Sequence, residues 1–345
     1  MEHGIFDIYL PIAGLHFNLW LLLAIGFSVG VLGGFFGVGG AWVVTPALNI
    51  FGFPMAYAIG TDLAHIFGKS IVATKKHGKM GNVDVKMGLL SIVGSVIGVE
   101  IGARNIMWLT SQGLAESVVR YFYMVMLFGL GGFMLYDYFS AQIRRARQAD
   151  SPVNVAIQAP TKKSWNIPPM IHFPTSGVTI SLWTLMVVFF VTGWLSGFLG
   201  VGGGFIRMPA LIYLIGCPTA IAVGTDLFSV IFTGAYGCFT YALKARVEIM
   251  AALFMLIGAS VGAQIGVTAV KYIHGYSVRL LFAIMVILAG GSVVLKTLNL
   301  TTAAAYLVMG SALAMCLVII IQLVRGFKKE KAAKKMEGTI LPVRK

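Results

Sequence analysis

GFFGVGGAWVVTPAL, residues 34–48, returns as GFLGVGGGFIRMPAL, residues 197–211, and this recurrence decides the architecture of the chain. Both copies set a glycine run directly before a short apolar stretch broken by proline, Pro46 in one and Pro209 in the other. The register extends outward from there, with residues 33–103 lying against 196–266. After a one-residue length difference, FPMAYAIGTDL at 53–63 matches CPTAIAVGTDL at 217–227, which pairs Gly60, Thr61 and Asp62 with Gly224, Thr225 and Asp226. Val83 and Asp84 then match Val247 and Glu248, and Gly94, Gly98 and Gly102 match Gly258, Gly262 and Gly266. SVVRYFYMVMLFGLGG from Ser117 resembles SVRLLFAIMVILAGG from Ser277. Each half is one complete repeat.

Of the 345 residues, 58% are apolar and 11% charged, and the mean hydropathy is +0.88. Apolar runs long enough to cross about 30 Å of hydrocarbon, roughly 20 helical residues, recur along nearly the whole chain. In lipid every backbone polar group must be paired internally, so spanning elements are helices or a closed barrel, and unalternating runs of this length exclude the barrel. The expected fold is all-α: a polytopic membrane protein of two inverted helical repeats with broken or re-entrant helices, closed by one C-terminal helix at about 303–324. The formal charge of +14 does not point to nucleic acid, because the basic residues sit beside apolar spans without interleaved aromatics. Cys217, Cys238 and Cys316 show no CxxC spacing, so neither metal nor redox chemistry is expected, and no cofactor. The N-terminus carries Glu2 and Asp7 instead of a basic leader, so the first apolar run is expected to stay in the mature protein.

Apolar segments of the first half fall at about 17–37, 38–53, 55–74, 83–103 and 118–139. The second, with 16 residues, gives only about 24 Å of helix and ends at Pro54. Either 38–53 and 55–74 both span, or they form a re-entrant hairpin. A short, Gly/Pro-interrupted segment at matching positions of two halves points to a transporter binding site. Boundaries follow: 1–139 as the first repeat, 140–177 as a proline-bearing cytoplasmic linker, 178–300 as the second repeat, and 301–345 as a final helix with a basic tail. Residues 1–16 contain no Lys or Arg, whereas Lys75, Lys76, Lys79 and Lys86, then Arg144, Arg145, Arg147, Lys162 and Lys163, and the tail after Arg325 are basic. The positive-inside bias places the N-terminus outside and the tail in the cytoplasm; Lys244, Arg246 and Lys296 run against it. An odd number of crossings between the N-terminus and the first basic loop makes the second repeat inverted.

Asp62, His65 and Lys69 follow i, i+3, i+7 spacing and share a helix face; Asp226, Ser229 and Thr233 take the same positions in the second half. A carboxylate within a membrane faces a cavity, a partner or a proton path, and two at equivalent points are expected close to the axis relating the halves. The alternative is that each Asp caps a half-helix. Lys69 and Arg207 each occur in one repeat only. Arg207 either approaches an anion beside the glycine run or neutralises Asp62 or Asp226. The runs at Gly39 and Gly40 and at Gly202 and Gly203 lack the Gly-Lys-Ser/Thr ending of a nucleotide loop. They either unwind beside a cavity, exposing amides to an anion, or serve close packing. Gly94, Gly98, Gly102 and their counterparts form a smooth stripe for helix contact. Glu100, in the place of Gln264, is either a proton site or a hydrogen-bonded side chain. No nucleophile or metal constellation is present in the sequence, so no catalytic residue is expected.

With Gly37, Gly39, Gly40, Pro46, Gly60, Thr61 and Asp62, then Gly200, Gly202, Gly203, Gly204, Pro209, Gly224, Thr225 and Asp226, the chain resembles the TauE/SafE family of sulfite exporters over nearly its whole length. The resemblance implies a multi-pass protein of the cell inner membrane that exports or exchanges sulfite, organosulfonates or related small anions, with protons as the driving ion. The binding set expected is Gly39, Gly40, Thr61, Asp62, His65, Lys69, Gly202, Gly203, Arg207, Thr225, Asp226 and Ser229, with Asp62, Asp226 and Glu100 as candidates for proton coupling. Lipid, protons and a small anion are the expected partners, and a homo-oligomer is left open. The chain departs from the family pattern at Ala41, where a third glycine is common, and at Asp62 and Asp226, where many members carry Ser.

Overall fold

A computed structural model describes residues 6–36, 41–148, 167–269 and 276–340. Gly39, Gly40 and residues 149–166 of the expected linker lie outside the described residues. The described chain is mostly helical. A hairpin, β1 (Asp7–Leu10) and β2 (Leu15–Asn18), leads into α1 (Leu19–Phe36), α2 (Ala41–Ile50), α3 (Met55–Lys79), α4 (Val85–Ser111) and α5 (Ala115–Gln148). The second half repeats this order: β3 (Met170–Phe173) and β4 (Val178–Ser181), then α6 (Leu182–Leu199), α7 (Gly204–Pro209) with a π-helical turn at Ala210–Leu214, α8 (Thr219–Ala242), α9 (Ile249–Ala269) and α10 (Tyr276–Thr297). Helix α11 (Thr301–Ile340) closes the chain.

Among the described residues eight helices, α1, α4, α5, α6, α8, α9, α10 and α11, hold stretches long and apolar enough to cross a membrane. Their outer faces are what a lipid solvent requires. On α4, Leu89, Val93, Ile97 and Ile101 are exposed at every fourth position, while Gly94, Gly98 and Gly102 on another face are buried.

The glycine stripes fasten the two halves together. A methyl group on Gly94, Gly98 or Gly102 would collide with the backbone of α6 at Met186, Phe190 and Trp194, and one on Gly258, Gly262 or Gly266 would collide with α1 at Leu23, Phe27 and Val31. The partner helices answer with glycines of their own: Gly193 and Gly197 of α6 abut Ser95 and Val99, and Gly30 and Gly34 of α1 abut Ala259 and Ala263. Such side-chain-free faces allow the closest backbone approach, where dispersion and not hydrophobicity holds helices together in lipid. The two seams are equivalent under the sequence register, since the first helix of each half packs on the fourth helix of the other.

The all-α expectation missed the two hairpins. Their registers are parallel cases, Asp7 opposite Asn18 and Met170 opposite Ser181. Each turn contains a glycine in the left-handed region, Gly14 at φ +67° and Gly177 at φ +69°, a conformation only glycine adopts without strain. The hairpin β3–β4 begins inside the stretch assigned to the linker. Leu10, Phe17, Phe173 and Ile180 anchor the two hairpins in the interior.

Candidate functional site

The broken segments of the two halves differ in detail. Helix α2 has 10 residues, about 15 Å, so it cannot span by itself. In the second half α6 ends at Gly200, and the chain unwinds through Gly200, Gly202 and Gly203 at φ +79°, +67° and +78°. Six residues of α7 follow, the last of them Pro209, and then the π-helical turn. Proline supplies no N–H for the helical ladder, and the chain widens into the rarer hydrogen-bonding pattern at that point.

Helices α3 and α8 begin after Pro54 and Pro218, whose side chains offer no capping bond. Asp62 and Asp226 therefore lie about two turns inside their helices, and the capping alternative does not hold. The two helices cross antiparallel. Gly60 approaches Tyr241, Leu63 lies against Gly237, and Phe67 lies against Gly234. In this register Asp62 lies level with the Gly237–Tyr241 stretch of α8, about three turns from Asp226 along that helix. The expectation that they lie together near one axis fails for that reason, and Lys69 and Thr233 are the stripe members that the same register brings level with each other.

The first polar cluster is built on α2 and α3. Thr45 donates its hydroxyl to Asp62 at 2.8 Å, and His65 Nδ1 stands 3.4 Å from the other carboxylate oxygen. Asp62, His65 and Lys69 are fully buried. Among the described residues His65 Nε2 and Lys69 Nζ have no hydrogen-bond partner.

The second cluster is built on α6, α7 and α8. Arg207 donates from Nε to Thr192 Oγ1 at 3.1 Å and from Nη1 to Asp226 at 3.5 Å. Its guanidinium carbon lies 5.0 Å from the centre of the Phe189 ring. Arg207 and Asp226 are both 0% exposed, yet Arg207 Nη2 and the second oxygen of Asp226 have no hydrogen-bond partner among the described residues. Ser229 shares a hydrogen bond of 3.1 Å with Ser91 of α4, and Thr233 donates to the Gly202 carbonyl at 3.3 Å.

The unwound glycines join the two clusters. A Cβ at Gly200 would sit 2.8 Å from Thr45 Oγ1, one at Gly202 would sit 3.2 Å from Ile66 and 3.3 Å from Val230, and one at Gly203 would sit 2.6 Å from Arg207 Nη2. The loop thus runs from the Asp62 cluster past α3 and α8 to the Arg207 cluster. Tyr123 and Tyr241 donate to the carbonyls of Leu199 and Gly197, which satisfies acceptors freed where α6 ends.

Thr61 and Thr225 do not face this loop with their hydroxyls. Thr61 accepts from the Glu248 N–H at 2.9 Å and Thr225 from the Asp84 N–H at 2.9 Å. Glu100 stands apart, held by Arg104 at 2.7 Å and Tyr236 at 3.1 Å. Thr45, Phe189 and Thr192 belong to the clusters and were not singled out in the sequence. For Thr45 the signal was its place before Pro46 in a broken segment.

A family model described as "Sulfite exporter TauE/SafE" matches residues 22–293. The chain belongs to this family. Among its relatives, the probable membrane transporter protein YunE of Bacillus subtilis is 25% identical over 279 residues, covering 78% of this chain and 95% of the relative. A probable membrane transporter protein of Methanocaldococcus jannaschii is 28% identical over 213 residues, 59% of this chain and 66% of that protein. One from Xylella fastidiosa is 27% identical over 251 residues, 70% and 79% of the two chains. No solved structure matches the chain. As a TauE/SafE protein this is a multi-pass membrane transporter and not an enzyme, and its two polar clusters lie within the matched span.

Proposed function

We propose that this TauE/SafE protein is a secondary active transporter of a small anion, sulfite or an organosulfonate, working by alternating access with proton coupling. The observation that carries the reading is a pair of buried cations, Lys69 and Arg207, whose Nζ and Nη2 donors have no hydrogen-bond partner among the described residues. Leaving such groups unpaired away from water is costly, and an anion completes them. In this reading the substrate lies along Gly202 and Gly203, with Arg207 as its main cation.

Charge balance supports proton coupling. With Lys69, Arg207, Asp62 and Asp226 all ionised, the two clusters together are neutral. A monoanion entering would leave one uncompensated negative charge in a low-dielectric interior, and protonation of Asp226 or Asp62 removes it. Glu100, paired with the exposed Arg104 on α4, has no comparable place in this scheme.

Inverted repeats in the membrane, with the N-terminus outside and the tail in the cytoplasm, belong to the same proposal. It is supported by the antiparallel crossing of α3 and α8, by the equivalent glycine seams, and by the lack of Lys and Arg in residues 1–16. Purified protein should bind sulfite or small sulfonates, and proteoliposomes should accumulate them against a gradient under an imposed proton gradient. Flux that only dissipates gradients would mean a channel, and absence of binding across sulfite, sulfate, thiosulfate and small sulfonates would overturn the anion reading.

A further inference from the structure

The two β-hairpins and the two acidic positions that begin α4 and α9 form a matched pair of assemblies to which the anion reading gives no task. At one end, the carboxylate of Glu248 accepts the N–H groups of Ile12 at 2.8 Å and Ala13 at 2.9 Å, in the turn of β1–β2. The N–H of the same Glu248 donates to Thr61 Oγ1 at 2.9 Å. At the other end, the carboxylate of Asp84 accepts the Ser176 N–H at 3.2 Å and its hydroxyl at 2.9 Å, in the turn of β3–β4. The Asp84 N–H donates to Thr225 Oγ1 at 2.9 Å. Glu248 and Asp84 are each 1% exposed.

In both assemblies the hairpin and the threonine come from one half and the acid from the other. Each threonine precedes the buried Asp of its cluster, so a hydrogen-bonded chain runs from hairpin turn to carboxylate to the residue beside Asp62 or Asp226. The assemblies sit at opposite ends of the α3/α8 pair. Thr61 lies near the start of α3, and the Asn82 N–H bonds back to His77 in the last turn of α3, just before Asp84. From Thr61 to the end of α3 is roughly 27 Å along the helix, close to the thickness of the hydrocarbon layer.

We propose that Glu248 and Asp84 are positioning residues that latch the two hairpins shut over opposite ends of the site, with both latches closed in this structure. Releasing Glu248 frees β1–β2 and opens the Asp62 end. Releasing Asp84 frees β3–β4 and opens the Asp226 end. Because each acid belongs to the half opposite its hairpin, a movement of one half against the other pulls on both latches, and each opening exposes the site to one side only.

The test needs no substrate, so its failure is separable from failure of the anion reading. In a background with Cys217, Cys238 and Cys316 replaced by alanine, Thr233→Cys at the helix crossing reports access to the site. A membrane-impermeant maleimide is applied to either face of sealed vesicles. Glu248→Gln is expected to raise labelling from the β1–β2 face by about tenfold or more, the scale of losing one hydrogen bond to a charged group, and to leave the other face unchanged. Asp84→Asn is expected to do the reverse. If either carboxamide variant does not fold, Thr61→Val and Thr225→Val carry the same opposed expectation. Equal increases from both faces, increases from one face for both variants, or no change would overturn the latch assignment, since a merely structural role predicts no opposed sidedness.

Discussion

The two polar clusters grow from one repeated sequence, yet they balance their carboxylates differently. Asp62 keeps a neutral donor, Thr45, at 2.8 Å and shares its own helix face with His65 and Lys69. Among the described residues Asp226 has no such donor; Arg207 bonds it at the long distance of 3.5 Å, and its other oxygen has no hydrogen-bond partner there. The first arrangement leaves the carboxylate supported when its cation moves away. The second makes cation and carboxylate depend on each other, so in the proposed scheme the Arg207 side is where an incoming anion competes directly with a protein group. The two halves share one frame, and divergence at Thr45, Lys69 and Arg207 gives its two carboxylates different partners.

The strongest way to break this comparison is to remove the two cations in turn. Arg207→Ala leaves Asp226 buried without compensation and should cost about 3–5 kcal/mol of stability, together with anion binding. Adding Asp226→Asn should restore melting behaviour without restoring binding. Lys69→Met should cost less, because Asp62 retains Thr45; equal losses in thermal unfolding would erase the distinction. Next in size, Asp62→Asn and Asp226→Asn should both abolish proton-dependent flux in proteoliposomes. Only Asp226→Asn should tighten anion binding, because it removes the tethered competitor of Arg207. Isothermal titration of both variants decides this, and equal affinities would defeat it. Thr192→Val takes the acceptor from Arg207 Nε and should weaken anion binding by about 1–3 kcal/mol; its Lys69 counterpart has no such support to lose. The smallest effects test the seams. Gly98→Leu should destabilise by about 1–3 kcal/mol through forced backbone movement. Gly129→Ala, where no atom lies within 4 Å of the new methyl, should stabilise by about 0.5–1 kcal/mol.

Much of this was legible before any coordinates. The register of 34–48 against 197–211 predicts two broken segments, and the four-residue glycine spacing predicts the seams, because a smooth stripe has few other uses in lipid. Asp62, His65 and Lys69 were readable as one buried face. The hairpins were missed although DIYLPIAGLHFNLW at 7–20 and MIHFPTSGVTISLW at 170–183 continue the repeat, with Pro11 and Gly14 matching Pro174 and Gly177. Strands of four residues give too little alternation to stand out beside long apolar runs. The placing of the two carboxylates failed for another reason. Sequence equivalence fixes which residues correspond, but the depth at which antiparallel helices cross is set by side-chain contacts such as Leu63 on Gly237. Thr192 carried no signal either, since an isolated threonine in an apolar helix commonly bonds to its own backbone, as this one also does toward Val188.

The glycine seams have a consequence for biosynthesis. Since α4 packs on α6 and α9 packs on α1, each half lends its outer helix to the other, and neither half closes its own grooves. While the ribosome is still making the interhalf segment, the groove on α4 has only lipid against it. Assembly must therefore wait for the second half, and a chain cut between α5 and β3 should be recovered only when both fragments are made in the same cell.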